Sequence, residues 1–311
     1  MATTLAIEKW PGVISTVNIG ATDKEGGSRS GVINIGGQNT MPLLFKEGAT
    51  PHAPKIAFEI WDIVPLDFDG ELMAAYGQAI NDPFTWADIC VNEYKAELLC
   101  LKMQGTHPDF GDKNPQKAAE FVSKLLSKIK VPLIIIGSGD DAKDNLIMPA
   151  CSQAAVGERC LIGCAVQDNY KTLVASVLAD GHSIIAESPI DINIAKQLNI
   201  LISDMGLSLE RIVINPTIGA LGYGLEYAYS IMERARLAAL SGDRTLASPF
   251  ICFVGQEAWR TKEAKTSAQQ GIIWETITAT SLIQAGADIL VMRHPKAAQI
   301  VGNYIQKLFK G

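Results

Sequence analysis

The sequence predicts an α/β protein: a TIM (β/α)8 barrel with an N-terminal β-hairpin extension. Short apolar runs recur along the chain, helix-compatible sequence follows each of them, and only 19% of residues are charged against 48% hydrophobic. Strands covered by helices on both faces read as continuous apolar runs, and such strands are parallel. At 311 residues the chain has room for one such barrel, which typically takes about 250 residues.

The elements follow in chain order. Gly12 to Ile19 and Ser30 to Ile35 alternate as strands do, and Asp23 to Arg29 between them reads as a hairpin loop. A proline-rich joint, Gly48 to Pro54, closes this region, so residues 1–54 are expected as a β extension and residues 55–311 as the barrel. The eight barrel strands are then Lys55 to Ile60, Leu98 to Met103, Pro132 to Ile136, Cys160 to Ala165, Ser183 to Ala186, Arg211 to Ile214, Phe250 to Val254 and Ile289 to Met292. Helices are expected at Asn114 to Ile129, Asn169 to Asp180, Ile192 to Met205 and Lys296 to Leu308, and Glu226, Tyr227, Tyr229 and Met232 open another. Asp191 is placed to cap the helix after it. Glu233 with Arg236, and Lys262 with Lys265, read as exposed helix faces. A doubly wound sheet is the alternative, but no Gly-x-Gly-x-x-Gly follows an early strand.

Composition excludes several function classes. A net charge of -6 and a pI near 5.3 argue against a nucleic-acid surface, which needs clustered Lys and Arg. The first residues lack a basic segment before a long apolar core, and no run reaches the roughly 20 residues of a membrane helix, so a cytoplasmic protein is expected. The six cysteines, at 90, 100, 151, 160, 164 and 252, suit reduced core positions. Cys160 and Cys164 are spaced to point the same way along a strand, but a metal site would need a second pair, so none is expected.

In a barrel, ligands meet the C-terminal ends of the strands. Those ends offer Glu59 and Asp62, Gln104 and Thr106, Gly137 to Asp140, Gln167 and Asn169, Glu187, Asn215 and Thr217, Gly255 to Glu257, and Arg293 with His294. Most are neutral or amide groups, suited to hydrogen bonding, and no Ser, His and acid set points to a hydrolase. The alternatives stay open at several of them. Glu59 and Asp62 read as a proton-handling pair or as solvated loop acids. His107 and His294 read as bases, metal ligands or ordinary loop histidines. Gly137-Ser138-Gly139-Asp140 offers backbone N–H groups to an anion, without the lysine of a P-loop. Lys102 is the one strand lysine placed for a Schiff base. After Ile214, Gly219, Gly222 and Gly224 form a glycine-rich turn that either admits a large planar ligand or merely joins strand to helix.

Asn169-Tyr170-Lys171, Asp191-Ile192-Asn193 with Lys196, Asn215-Pro216, the run from Ala220 to Tyr227, Met232 to Arg236 and Glu257 to Glu263 together resemble the small subunit of the corrinoid iron-sulfur protein, the delta subunit of the acetyl-CoA decarbonylase/synthase complex. The resemblance covers most of the barrel and is most specific in Ala220 to Gly224 and Met232 to Arg234. It implies a heterodimer with a larger subunit that holds cobalamin and the iron-sulfur cluster, this chain carrying no cluster. The cobalamin would carry a methyl group from a methyltetrahydrofolate or pterin methyltransferase to acetyl-CoA synthase in the reductive acetyl-CoA pathway of carbon fixation, with a reductive activator as a further partner. The chain itself would cap the corrinoid rather than catalyse. Its expected corrinoid contacts are the strand-end groups Gln104, Thr106, Gly137, Ser138, Asn169, Asn215 and Thr217, with the loop Gly219, Ala220, Leu221, Gly222 and Tyr223; these groups supply no competing base or thiol. The competing expectation is a stand-alone pterin-dependent methyltransferase with a pterin site in its own barrel, drawing on Glu59, Asp62, Glu187 and Asn215.

Overall fold

The computed structural model describes residues 7–309. Residues 1–6, on which part of the leader-sequence expectation rests, lie outside the described residues. Two short strands, β1 (Thr16–Ile19) and β2 (Ile33–Gly36), pair antiparallel. The chain then alternates strand and helix: β3 (Lys55–Trp61), α1 (Gly70–Ala74), α2 (Pro83–Asn92), β4 (Leu99–Lys102), α3 (Pro115–Lys128), β5 (Leu133–Ile136), α4 (Asp141–Ala154), β6 (Leu161–Ala165) and α5 (Tyr170–Asp180). It continues with β7 (Ser183–Glu187), α6 (Ile192–Asp204), β8 (Ile212–Asn215), α7 (Leu225–Leu240), β9 (Phe250–Cys252), α8 (Val254–Ala258), α9 (Ala268–Ala285), β10 (Ala287–Met292) and α10 (Pro295–Phe309). β3 to β10 close into one parallel barrel, β10 pairing with β3.

Alternation along each strand sorts side chains into two cores. Leu99, Leu101, Leu133, Ile135, Ile184, Ile212 and Leu290 face outward against the helices. Ala57, Cys100, Ile134, Ile185, Val213, Ile251 and Val291 face inward and fill the barrel. Val17, Ile19, Ile33 and Ile35 of the hairpin belong to that inner core. The hairpin therefore plugs the end of the barrel where the strands begin. Its backbone is tied there: Gly20 N donates to Arg159 O, Ser30 N to Lys130 O and Ser15 N to Ala247 O, all just ahead of barrel strands. Arg29 is buried, donates to the carbonyls of Leu126, Ile129 and Val131 at the end of α3, and pairs with Glu158 at 2.7 Å.

Two sequence expectations are corrected at this level. Cys160 and Cys164 do not share a face: the register shifts between Ile162 and Ala165, so Cys160 packs outward while Cys164 meets the inner core. Arg236 is not on an exposed face. It is buried, pairs with Asp288 at 3.0 Å and donates to Gly286 O, while Glu233 stays exposed.

Candidate functional site

The strand ends surround a cavity of about 730 Å³ at the barrel mouth, the end opposite the hairpin. Its floor is the last inward-facing layer of the strands: Glu59 and Arg293 beneath, with Lys102, Ile136, Cys164, Glu187, Asn215 and Phe253 lining the space. Glu59 is fully buried and bound twice by Arg293, Nη2 to Oε1 at 2.8 Å and Nε to Oε2 at 3.0 Å, with Trp61 Nε1 donating at 2.6 Å. Burial pushes the Glu59 carboxyl up, but the Arg293 charge and these bonds outweigh it and hold it below its ordinary value. Asp62 is buried as well, accepting from Gly105 N at 2.7 Å and pairing with Lys113 at 2.8 Å. Glu59 and Asp62 are thus separate structural anchors, neither a proton-handling pair nor solvated loop acids.

The turn Gly137 to Asp140 offers no anion cradle. Ser138 N and Gly139 N donate to the Asp144 carboxylate at 2.8 and 3.0 Å, and Ser138 Oγ adds a third bond at 2.9 Å. The protein's own carboxylate occupies the amides, and a Cβ on Gly137 would lie 2.2 Å from Asp144 Oδ2. Burial raises the Asp144 pKa against those bonds, with Asp141 adding to the rise.

Both loop histidines are accounted for locally. His107 Nδ1 accepts from Asp109 N and its ring packs on Phe110 at the cavity wall. His294 is buried, stacks on Trp259 at 5.7 Å, and accepts from Lys296 N through Nδ1. Burial lowers its pKa to about 4, leaving the ring neutral. Beneath it Glu275 is fully buried, accepting from Trp259 Nε1 at 2.8 Å and Arg293 N at 2.6 Å, and burial raises its pKa to about 7.

Of the strand-end groups named from sequence, Gln104, Gly137, Ser138, Asn215 and Thr217 are brought together on the cavity wall. Asn215 Nδ2 donates to Glu187 Oε2 at 2.8 Å, and Thr217, at φ 52°, bonds Ser188 O through Oγ1. Thr106 and Asn169 are buried supports: Thr106 Oγ1 donates to Met103 O at 2.6 Å, and Asn169 accepts from Val166 N at 2.8 Å. The loop Gly219 to Tyr223 leans on α9 instead, with Leu221 N donating to Thr278 Oγ1 and Trp274 Nε1 donating to Leu221 O. Ala220 is buried there, whereas Tyr223 is half exposed and bonds Glu263 at the rim.

Sequence reasoning passed over Trp61, Leu66, Asp67, Phe110, Cys164 and Phe253 as cavity residues. The inward alternation of Cys100 to Lys102 and Ile251 to Phe253 could have found Lys102 and Phe253 together. The expectation that the mouth supplies no base or thiol is corrected, since His107 and Cys164 line it. The Cys164 thiol is pushed up first by burial and then by Glu187, which keeps it protonated and a poor metal ligand. Around the opening stand exposed apolar side chains from four strand-to-helix connections or first helical turns: Leu66, Phe110, Ile190, and Tyr223 with Tyr227.

Among the described residues no group of three or more His, Cys, Asp or Glu is arranged for a metal ion, and no helix is long and apolar enough to cross a membrane. Residues 16–305 match the family model of the CO dehydrogenase/acetyl-CoA synthase delta subunit. The chain is 33% identical over 308 residues to the acetyl-CoA decarbonylase/synthase complex subunit delta of Methanopyrus kandleri, covering 96% of this chain and 76% of that one. It is 34% identical over 296 residues to that subunit of Methanocaldococcus jannaschii, covering 93% and 72%. Among solved structures it is similar to the 7,8-dihydropteroate synthase of Vibrio fischeri, with a TM-score of 0.60 at 12% identity over 87% of this chain and 99% of that one. The dihydropteroate synthase of Xanthomonas albilineans in complex with 7,8-dihydropteroate gives 0.59 at 14% identity over 84% and 95%. At such identities the likeness shows the barrel fold alone.

Proposed function

The chain belongs to the CO dehydrogenase/acetyl-CoA synthase delta subunit family, and on that footing we propose that it is the small subunit of a corrinoid iron-sulfur protein, its barrel mouth covering a cobalamin held by a larger subunit. The observation that carries this reading is the mouth itself: an open polar cavity ringed by exposed Leu66, Phe110, Ile190, Tyr223 and Tyr227. Apolar side chains gathered round a wet opening mark a surface that another body covers.

The residues present fit a corrinoid resting across the opening. Gln104, Asn215 and Gln256 offer amides, and Asp141 and Glu187 offer acceptors, to the carboxamide arms that edge a corrin. A macrocycle is wider than the interior of an eight-stranded barrel, which side chains fill, so it would lie over the cavity rather than within it. When bound, its cobalt supplies the methyl carrier. The chain's own part is to exclude water from the covered face, to orient the ring through amide contacts, and to keep the Cys164 thiol protonated and tied to Glu187. In this reading the hairpin of β1 and β2 is a plug that serves the barrel at the end away from the mouth.

The finer partners follow: a methyltetrahydrofolate or pterin methyltransferase that loads the methyl group, acetyl-CoA synthase that receives it, and a reductive activator, with the iron-sulfur cluster on the larger subunit. The test is purification of the chain from its source with whatever binds it, followed by visible absorption spectroscopy and mass determination. Corrinoid and iron-sulfur bands that travel with a larger second subunit support the reading. A colourless homo-oligomer that transfers methyl groups from a pterin by itself sinks it.

A further inference from the structure

We propose that the flank of the barrel over β3 is a surface on which two copies of this chain pair, the α10 ridge of each seated in the groove beside α10 of the other. The pairing uses neither the mouth nor its cover, so either reading can fail without the other.

The outer helices of a closed barrel form a ring around its strands. Here α10 packs against α9 but makes no comparable contact with α2, and the ring stays open over β3 as a groove of about 840 Å³. Its floor is apolar, with Ile56, Ala298 and Ile305 beside Phe58, whose ring stacks on Tyr94 at 6.2 Å. Gly302 lies midway along α10 on the wall of this groove. A Cβ there would meet only Ile56 Cδ1, at an ordinary contact distance of 3.7 Å, and Gly302 is not among the residues with positive φ. Glycine inside a helix is less stable than alanine, yet nothing within the chain requires it here. The missing side chain leaves the groove clear for a body outside the chain.

The crest of α10 is complementary to that groove. Lys296, Ile300, Asn303 and Lys307 recur at i, i+4, i+7 and i+11, so they share one face, and all four are exposed. From Pro295 to Phe309 the helix carries no acidic residue, and neither lysine forms an ion pair among the described residues. The far wall of the groove is the connection from α2 to β4, which lies at the same end of the barrel as the end of α10. It presents Glu93, exposed and without an ion pair among the described residues, and Glu97, paired with Lys55 at 3.1 Å. Lys95 between them donates to Asn92 O. A basic crest thus matches an acidic wall, and Ile300 matches the apolar floor. Ridge and groove lie side by side on one surface, and a two-fold axis running along them sets each ridge over the groove of the other copy. The two ridges then run parallel, Lys307 comes level with Glu93 of the other copy, and both mouths face the same way. Phe45, exposed and edge-on to Phe309 at 5.3 Å, extends the apolar surface at that end.

The experiment is sedimentation equilibrium of the full chain over a wide range of concentration, both alone and co-purified with whatever covers its mouth. We expect a reversible dimer. Gly302→Leu, which fills the groove from a position with room for a side chain, should raise the dissociation constant at least about tenfold without lowering the thermal midpoint of the separated chain. Glu93→Lys should weaken pairing in the same direction, and Glu93→Lys combined with Lys307→Glu should restore it, which a merely structural role for either residue would not do. A chain that stays monomeric throughout overturns the proposal, as does a dimer indifferent to both Gly302→Leu and the charge exchange. Release of the larger subunit by Gly302→Leu, with no pairing of copies, gives the groove to that subunit and also overturns it. A dimer of this kind that no larger subunit accompanies keeps the pairing and sinks the covering role alone.

Discussion

The pair of Glu59 and Arg293 decides much at the floor of the mouth, since both are 1% exposed and each is the other's main partner. Removing one leaves a buried charge without compensation, so Glu59→Gln is expected to cost about 3–5 kcal/mol in denaturant-unfolding measurements. The two residues are 234 positions apart, which is why sequence alone left Glu59 between a proton-handling and a solvated strand-end acid and did not pair it with Arg293. Arg236 and Asp288, 52 positions apart, were hidden in the same way. His294 carries a pH prediction. Its neutral ring is favoured in the fold, with a pKa near 4 against an ordinary 6.5, so its stabilising contribution is full above about 6.5 and is lost as pH falls toward 4. Glu275 acts oppositely: its contribution is full below its ordinary 4.5 and is lost as pH rises through about 7. Thermal unfolding midpoints measured between pH 4 and 7.5 should therefore fall less on the acid side for His294→Asn, which keeps an acceptor for Lys296 N. Glu275→Gln should remove the loss on the neutral side.

The eight barrel strands were legible because burial on both faces makes them mostly apolar runs, and every one of them is present within a residue or two of its expected bounds. The hairpin was legible by alternation, though its strands are shorter than expected because the paired ladder covers only Thr16 to Ile19 and Ile33 to Gly36. The glycine-rich turn before α7 was legible as a turn, but not the face it packs on, since nothing in its spacing names Thr278 and Trp274 on α9. That turn separates two kinds of glycine. A Cβ on Gly219 would meet Tyr223 O at 2.4 Å, whereas Gly222 at φ 77° has open space around it. Gly222→Ala should therefore cost only about 1 kcal/mol of left-handed strain, and Gly219→Ala more, because backbone must move. Chemical denaturation of the two variants side by side tests this ordering. In the hairpin, Ile19→Ala is expected to destabilise by about 2–5 kcal/mol, as for other buried large-to-small changes.

Over the whole molecule the two ends of the barrel do different work. The strand starts are closed by apolar packing, and the strand ends are open and polar, so stability and recognition are separated along one axis. Charged replacements on the rim should then leave the fold alone and weaken assembly. Leu66→Asp with Tyr227→Asp is expected to keep the thermal midpoint within about 2 °C, as exposed positions do, and to reduce co-purification of the larger subunit at least several-fold; pull-down from native extract and calorimetry read the two effects separately. The hairpin has a last consequence for timing. With Val17, Ile19, Ile33 and Ile35 packed into the inner core at the far end, the described residues leave the barrel open at the strand ends. Under the proposed cover, a small molecule held inside the mouth would have to arrive before the cover settles and leave after it lifts, so the uncovering rate would cap its rate of departure.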